Sequence, residues 1–159
     1  MIFVVMGTQK FQLNRLLVQI DELIEKGIIT EPVFAQTGNS DYIPQNYSYE
    51  KFLDKEEFEK KISECDILIT HSGVGTIISG LKNKKPIIVF PRLAKYKEHV
   101  DDHQLEIAQS FSELNYVLLC GEENNLGELI EKSRSHKFGT YTSGRGTVVN
   151  TVRDFLDKI

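Results

Sequence analysis

Short apolar runs alternate along the chain with longer segments in which apolar residues recur at helical spacing. The runs are rich in β-branched side chains and nearly free of polar interruptions, a pattern typical of strands that are covered on both faces of a sheet. We predict five strands, at residues 2–6, 32–36, 67–70, 86–91 and 116–120.

The segments between these runs are amphipathic, and several of them end in glycine or proline, which favour helix termination. Strands that alternate with helices predict a Rossmann-like, doubly wound parallel sheet of the α/β class. We find no internal repeat and no long linker, so residues 1–159 are expected to form a single domain. The predicted helices span residues 14–26, 55–64, 75–81, 100–114, 125–135 and 147–159, with an irregular polar stretch after the second strand.

Composition excludes several classes of protein. The net charge of −4 gives no electrostatic reason to bind nucleic acid. No run approaches the roughly 20 apolar residues that span a bilayer, and residues 1–7 lack the basic flank of a signal peptide. We therefore expect a cytoplasmic protein, in which Cys65 and Cys120 are buried thiols.

The residues with unusual chemistry are concentrated in three strand-to-helix loops, at residues 7–9, 71–76 and 92–104. In a doubly wound sheet such loops gather at the carboxyl ends of the strands, where ligands bind. A single ligand is therefore expected to contact all three loops.

The second loop combines two glycines with two hydroxyl side chains at the start of a helix. Free backbone N–H groups and the helix dipole favour a phosphate there, and His71 is placed to donate to a phosphate oxygen. The alternative is an ordinary tight turn with Ser72 as the helix cap. The chain has neither a P-loop motif nor a G-x-G-x-x-G motif after the first strand, which argues against P-loop and dinucleotide-binding proteins.

The third loop carries two histidines, His99 and His103, which would share a helix face and have a spacing that suits a metal. No third ligand with suitable spacing is evident, so we predict no metal site. A solvated helix start, with Asp101 and Asp102 at the positive end of the dipole, is the alternative. Against it, His103 and Gln104 offer donors and acceptors that suit sugar hydroxyls.

Taken together, these strings resemble the carboxy-terminal domain of glycosyltransferase family 28. The resemblance covers essentially the whole chain and is strongest to stand-alone versions of the domain. Among these are the cytosolic subunit of the eukaryotic transferase that adds the second N-acetylglucosamine to dolichol-linked glycans, and bacterial capsule and exopolysaccharide subunits. The shared strings are VMGT at 5–8 followed by Phe11 and Arg15, HSGVGT at 71–76, KKPIIV at 84–89, PR at 91–92, EHVDDHQ at 98–104 and DHQLEIA at 102–108.

The resemblance implies a GT-B fold, in which this domain binds the UDP-sugar donor and a second domain binds a polyprenyl-diphosphate-linked sugar acceptor. In the stand-alone versions the acceptor domain is a separate, membrane-anchored subunit. The resemblance further implies an inverting transfer without a cofactor or tightly bound metal. The general base is expected in the partner, and the complex is expected at the inner face of the cell membrane.

Carried over by motif, three groups of residues are implied to bind the donor. One departure concerns Ser79, which stands where many relatives carry a glutamate that holds the ribose. The implied contacts are Gly7, Thr8, Gln9, His71, Ser72, Gly73, Gly75 and Thr76 for the diphosphate, Ser79 and Arg92 for the nucleoside, and Glu98, His99, Asp102, His103 and Gln104 for the sugar.

The sequence thus predicts the donor-binding subunit of a two-component hexosyltransferase in surface polysaccharide synthesis. UDP-galactose or UDP-glucuronate is the favoured donor because of the resemblance to capsule enzymes. One alternative is a non-enzymatic nucleotide-binding module that regulates a polysaccharide assembly complex. Another is a fragment of a sugar-nucleotide epimerase that uses Glu98 or His99 as acid and base.

Overall fold

A computed structural model describes residues 1–141, in which six parallel strands form one sheet with helices on both faces. The sheet order is β3-β2-β1-β4-β5-β6. This is the Rossmann order, and its direction reverses between β1 and β4, where such folds bind ligands. The strands are β1 (Ile2–Val5), β2 (Val33–Gln36), β3 (Ser48–Glu50), β4 (Ile67–Thr70), β5 (Ile87–Val89) and β6 (Leu118–Leu119).

Five α-helices are described, and each corresponds to a predicted helix. Their ends differ by a few residues from the prediction, as is usual for helix boundaries. The predicted closing helix at 147–159 lies outside the described residues. The helices are α1 (Asn14–Glu25), α2 (Lys55–Glu64), α3 (Val74–Lys82), α4 (His103–Glu113) and α5 (Leu126–Ser133), and a short 3-10 helix covers Ala94–Tyr96.

Two predictions about the elements were wrong. Strand β3 was missed because its sequence, SYE, is an edge strand with exposed ends and no apolar run. Helix α4 begins at His103, whereas the prediction placed its start at residue 100. His99 therefore lies in the preceding loop and does not share a helix face with His103.

The central strands separate two apolar cores, because alternate side chains point to opposite faces. Ile2 and Val4 face α1 and α5, whereas Phe3 and Val5 face α2, α3 and α4. All four of these side chains are fully buried, which explains why the run lacks polar residues.

The two cysteines are buried and unpaired, as predicted. Burial raises the pKa of each thiol, Cys65 and Cys120, to about 11, so neither is a reactive thiolate. Within residues 1–141, no helix combines the length and apolar character that crossing a bilayer requires.

Candidate functional site

A cavity of about 490 Å³ opens at the reversal point of the sheet, beside the carboxyl ends of β1 and β4. That volume is in the range of small-molecule sites. Seven of the eight residues predicted to bind the diphosphate line it, all except Ser72: Gly7, Thr8, Gln9, His71, Gly73, Gly75 and Thr76.

The glycines of the first two loops make room for a histidine ring. A Cβ atom built on Gly7 or on Gly73 would lie 2.6 Å from Cε1 of His71, closer than any side chain tolerates. Gly7 also has a φ of +78°, which L side chains rarely adopt. The His71 imidazole is therefore held between two glycine backbones, and it is only 5% exposed.

Arg92 anchors this arrangement from inside the domain. Its side chain is 1% exposed, and its Nη2 donates to the carbonyl oxygens of Met6 at 2.6 Å and Phe11 at 3.2 Å. Its Nη1 lies 2.8 Å from Nδ1 of His71. The prediction that Arg92 contacts the nucleoside is corrected, because the guanidinium is enclosed by the protein and ties the first loop to His71.

The contact with Arg92 determines which nitrogen of His71 carries the proton. A guanidinium has only donors, so Nδ1 must accept and the proton of the neutral ring resides on Nε2. Burial, with the nearby Arg92 charge as a second cause, lowers the pKa of His71 to about 3. At neutral pH His71 is an uncharged Nε2–H donor beside Gly7 and Gly73.

Gln104 connects the three loops. Its Oε1 accepts from the backbone N–H of Arg92 at 3.0 Å and of Ser72 at 3.4 Å, and its Nε2 donates to Oε1 of Gln9 at 3.1 Å. The side chain is 4% exposed. Its carbonyl oxygen is thus occupied by the protein, and any sugar contact is limited to its amide nitrogen.

Glu98 was predicted to bind the sugar, but its carboxylate is engaged within the protein. Both carboxylate oxygens accept from Arg15, at 2.9 and 3.1 Å, and Oε1 also accepts from the backbone N–H of Leu93. The guanidinium of Arg15 is stacked between Phe90 and Tyr96, at 4.5 and 4.6 Å from the ring centroids. Glu98 therefore fixes the third loop to α1, and it is not a free acid or base for an epimerase.

Three other residues predicted to bind the sugar, His99, Asp102 and His103, are partly or fully exposed. The ring of His99 packs on Phe11 with centroids 5.1 Å apart, and Oδ1 of Asp102 accepts from the backbone N–H of Ala94 at 2.9 Å. His103 begins α4 and lies 3.4 Å from a carboxylate oxygen of Glu106. Among residues 1–141, no group of three His, Cys, Asp or Glu side chains is arranged to hold a metal ion.

The second loop leads directly into α3. Its N-cap is Gly73, which supplies no side-chain cap, so the alternative of Ser72 as the cap is wrong. In the part of the chain that the structure describes, the buried hydroxyls of Thr70 and Ser72 have no hydrogen-bond partner. Uncapped N–H groups at the start of α3, with Gly75 open to the cavity, form a typical site for an anion.

Sequence reasoning missed the opposite wall of the cavity, which follows β2 and β3. Gln36 shapes it, because its Oε1 accepts from the backbone N–H of Leu53 at 2.9 Å. Asp54 then caps α2 through the backbone N–H of Glu57. A capping signal at 54–57 was available in the sequence, but only the folded sheet brings this helix start beside the first loop. The residues that line this wall are Gln36, Leu53, Lys55 and Phe58.

Ser79 lies one turn behind this cavity on α3. Its hydroxyl donates to the carboxylate of Glu59 on α2, at 3.1 Å from Oε2. Thus a carboxylate does lie at Ser79, although a different helix supplies it.

Comparison with characterised proteins identifies several relatives. "UDP-N-acetylglucosamine transferase subunit ALG13" of Candida albicans is 39% identical over 80 residues, 50% of this chain and 24% of that protein. The Homo sapiens protein of the same name is 25% identical over 126 residues, 75% of this chain and 11% of that protein. A Prochlorococcus marinus "UDP-N-acetylglucosamine--N-acetylmuramyl-(pentapeptide) pyrophosphoryl-undecaprenol N-acetylglucosamine transferase" is 30% identical over 93 residues, 58% of this chain and 24% of that protein. The chain thus spans a quarter or less of these three relatives.

Solved structures share the fold at low sequence identity. MurG of Acinetobacter baumannii matches 98% of this chain and 49% of its own, with a TM-score of 0.52 and 18% identity. The glycotransferase of kitacinnamycin matches 82% of this chain and 33% of its own, with a TM-score of 0.58 and 15% identity. These matches confirm the predicted fold, that of the carboxy-terminal half of a GT-B glycosyltransferase.

The sequence profile of the glycosyltransferase family 28 C-terminal domain matches residues 1–159. The match includes both strand-to-helix loops that line the cavity, at 7–9 and 71–76. The chain therefore belongs to glycosyltransferase family 28, as a carboxy-terminal domain.

Proposed function

We propose that this chain is the donor-binding subunit of an inverting UDP-sugar glycosyltransferase whose acceptor-binding half is a separate, membrane-anchored chain. The observation that carries the proposal is the cavity at the reversal point of the sheet. There the neutral Nε2–H of His71 lies next to the uncapped start of α3. A diphosphate matches this combination of neutral donors and helix dipole.

The two walls of the cavity suit the two ends of UDP. The diphosphate lies over Gly75 and Thr76, where backbone N–H groups stabilise the negative charge that grows on the leaving group. The uracil ring lies against Leu53 and Phe58, and Lys55 adds a positive charge at the rim. Apolar walls with few polar groups are typical of nucleoside sites.

The ribose is assigned to the groove between α2 and α3. Glu59, held by Ser79, presents a carboxylate that can accept from the ribose hydroxyls. This arrangement would replace the glutamate that many relatives carry at the position of Ser79.

The sugar is assigned to the side of the cavity lined by Gln9, which Gln104 connects to the start of α4. Gln9 and His103 are the candidate contacts there, together with the amide nitrogen of Gln104, whose carbonyl oxygen is engaged within the protein. UDP-N-acetylglucosamine is the first donor to test, because the relatives named above carry that sugar in their names. UDP-galactose and UDP-glucuronate, favoured by the resemblance to capsule enzymes, are the next.

The general base is assigned to the partner. At this edge of the described residues, the carboxylate of Glu98 is already bound to Arg15. Removal of the acceptor proton requires a base within hydrogen-bond reach of the acceptor hydroxyl. An acceptor-binding chain that closes over the cavity would bring both the hydroxyl and its base.

The test is a transfer assay with labelled UDP-sugars and a polyprenyl-diphosphate-linked sugar. The chain is assayed alone and then with the membrane-anchored acceptor subunit of its own organism. We expect transfer only in the mixture, and the labelled donor that reacts identifies the sugar. Full transfer by the chain alone would refute the division between two subunits. UDP binding without transfer in either sample would favour a regulatory nucleotide-binding module.

A further inference from the structure

We propose that Arg92 is a positioning residue that holds His71 as its neutral Nε2–H tautomer and directs that N–H between Gly7 and Gly73 toward the donor diphosphate. The tautomer is a property of the free chain. The binding part of the inference rests on the proposed function.

The contacts of the His71 ring determine its tautomer. Nη1 of Arg92 lies 2.8 Å from Nδ1, and a guanidinium can only donate, so this contact excludes the Nδ1–H tautomer. Nε2 lies on the side of the two glycines, where a Cβ on either residue would touch the ring. Both glycines line the cavity, so the Nε2–H reaches the same space as the start of α3.

Arg92 is itself held in place by hydrogen bonds of its side chain and of its backbone. Its Nη2 donates to the carbonyl oxygens of Met6 and Phe11, on either side of the first loop. The backbone N–H of Arg92 donates to Gln104, which also accepts from Ser72. The guanidinium is therefore fixed by the carbonyl oxygens on either side of the first loop, while Gln104 holds the backbone of Arg92. The guanidinium cannot turn away from His71 without breaking its bonds to Met6 and Phe11.

Burial and the charge of Arg92 keep the His71 ring neutral. Arg92 is a charged group in contact with His71, and the charge of Glu98, which is paired with Arg15, favours the charged form of Arg92. A cation beside Nδ1 opposes protonation of the ring and polarises the opposite N–H bond toward an acceptor. The His71 ring is thus a strong hydrogen-bond donor, and this ring stays uncharged across the physiological pH range.

Two experiments test the tautomer of His71 and the role of Arg92 in holding it. The first is a long-range proton–nitrogen correlation spectrum of the unsubstituted, nitrogen-15-labelled chain. We expect His71 to show an unprotonated Nδ1 and a protonated Nε2, and not to titrate between about pH 5 and about pH 8. An Nδ1–H tautomer or an ordinary titration would overturn the proposal. This experiment needs neither a substitution nor a ligand.

The second experiment is a double-mutant cycle in the affinity for UDP, with Arg92→Lys and His71→Ala. Lysine keeps the charge but cannot donate in the same fork to Met6, Phe11 and His71. We expect Arg92→Lys to weaken binding about tenfold in the natural background and less than about twofold when His71 is alanine. Equal losses in both backgrounds would show that Arg92 acts on the fold alone.

The two experiments separate this inference from the proposed function. A chain that does not bind UDP but shows the Nε2–H tautomer refutes the donor site. A chain that binds UDP with His71 in the other tautomer refutes the role of Arg92. Thermal unfolding of each variant confirms that the affinities are measured on folded protein.

Discussion

Two cavities lie at opposite ends of the same sheet, and the larger is not the one assigned to the donor. The cavity at the amino ends of β5 and β6 has a volume of about 560 Å³, against about 490 Å³ at the carboxyl ends of β1 and β4. It is also the more basic, because three lysines, Lys82, Lys84 and Lys85, line it together with Arg134. Size and positive charge alone would place an anionic ligand there.

The two cavities differ in the hydrogen bonds and ion pairs that their polar side chains make. At the amino ends, Arg134 pairs with Glu31, and Nε2 of His136 lies 2.7 Å from Oδ1 of Asn115. At the carboxyl ends, His71 is held by its Nδ1 while its Nε2 faces the two glycines that line the cavity. We infer that preset donors at a topological reversal, and not volume, mark the end of this sheet that is proposed to bind the donor.

The largest effect is expected from a methyl group added to either of two glycines in the second loop. In Gly73→Ala the new Cβ would meet the His71 ring at 2.6 Å, so the ring must move. We expect UDP affinity to fall about 100-fold and the free energy of unfolding to fall by about 1–3 kcal/mol. Calorimetric titration and urea unfolding measure the two effects.

Gly75→Ala is the matched variant, because a Cβ there has nothing within 4 Å. Alanine also favours the helix, by up to about 1 kcal/mol relative to glycine. We expect this variant to weaken UDP binding while its stability is kept or raised. Unchanged UDP affinity in both glycine variants would refute the site at this end of the sheet.

The next effect comes from reversing one charge at each cavity. Lys55→Glu places a negative charge on the wall assigned to the nucleotide, and we expect about a tenfold loss of UDP affinity at low salt. Lys84→Glu makes the same change at the opposite cavity and should leave the affinity unchanged. A larger loss of affinity from Lys84→Glu than from Lys55→Glu would indicate that the nucleotide binds at the amino ends of the strands.

The buried state of His71 predicts a pH dependence of stability. Its pKa is lowered from 6.5 to about 3 in the folded chain, so the unfolded chain binds more protons as the pH falls below about 6.5. The stabilisation is present above that value and is lost progressively toward about pH 3. Between about pH 7 and about pH 5.5 we expect a loss of about 1 kcal/mol that His71→Gln abolishes.

His136→Gln is the control for this pH effect, because His136 lies at the opposite cavity and is partly exposed. Urea unfolding at the two pH values should give this variant the same loss as the natural chain. If His71→Gln retains the full loss, His71 is not the buried neutral group that the structure describes.

The smallest expected effect concerns the ribose. Glu59→Gln removes the carboxylate charge that Ser79 holds, and we expect about a threefold loss of UDP affinity, since the group is exposed. For 2′,3′-dideoxy-UDP the substitution should have no effect, because the hydroxyls are missing. An equal loss with both nucleotides would mean that Glu59 acts through charge or fold and not through the ribose.

The sequence predicts the five strands with apolar runs and the residues of the loops that follow β1 and β4, because both depend on local patterns. It does not reveal that the lack of a side chain at Gly73 makes room for the His71 ring. It also misplaces Arg92 and Glu98, whose partners Met6 and Arg15 lie 86 and 83 residues away in the chain. Such pairings depend on the closed sheet, and no local spacing encodes them.

Titration of the nitrogen-15-labelled chain with UDP, followed through the backbone amide signals, decides which end of the sheet binds the nucleotide. We expect saturable shifts at Gly7, Gly75 and Thr76 and at Leu53 on the facing wall, with Tyr116 and Tyr141 at the opposite cavity unchanged. Shifts confined to Tyr116, Tyr141 and their neighbours, with Gly75 and Leu53 unaffected, would contradict this expectation.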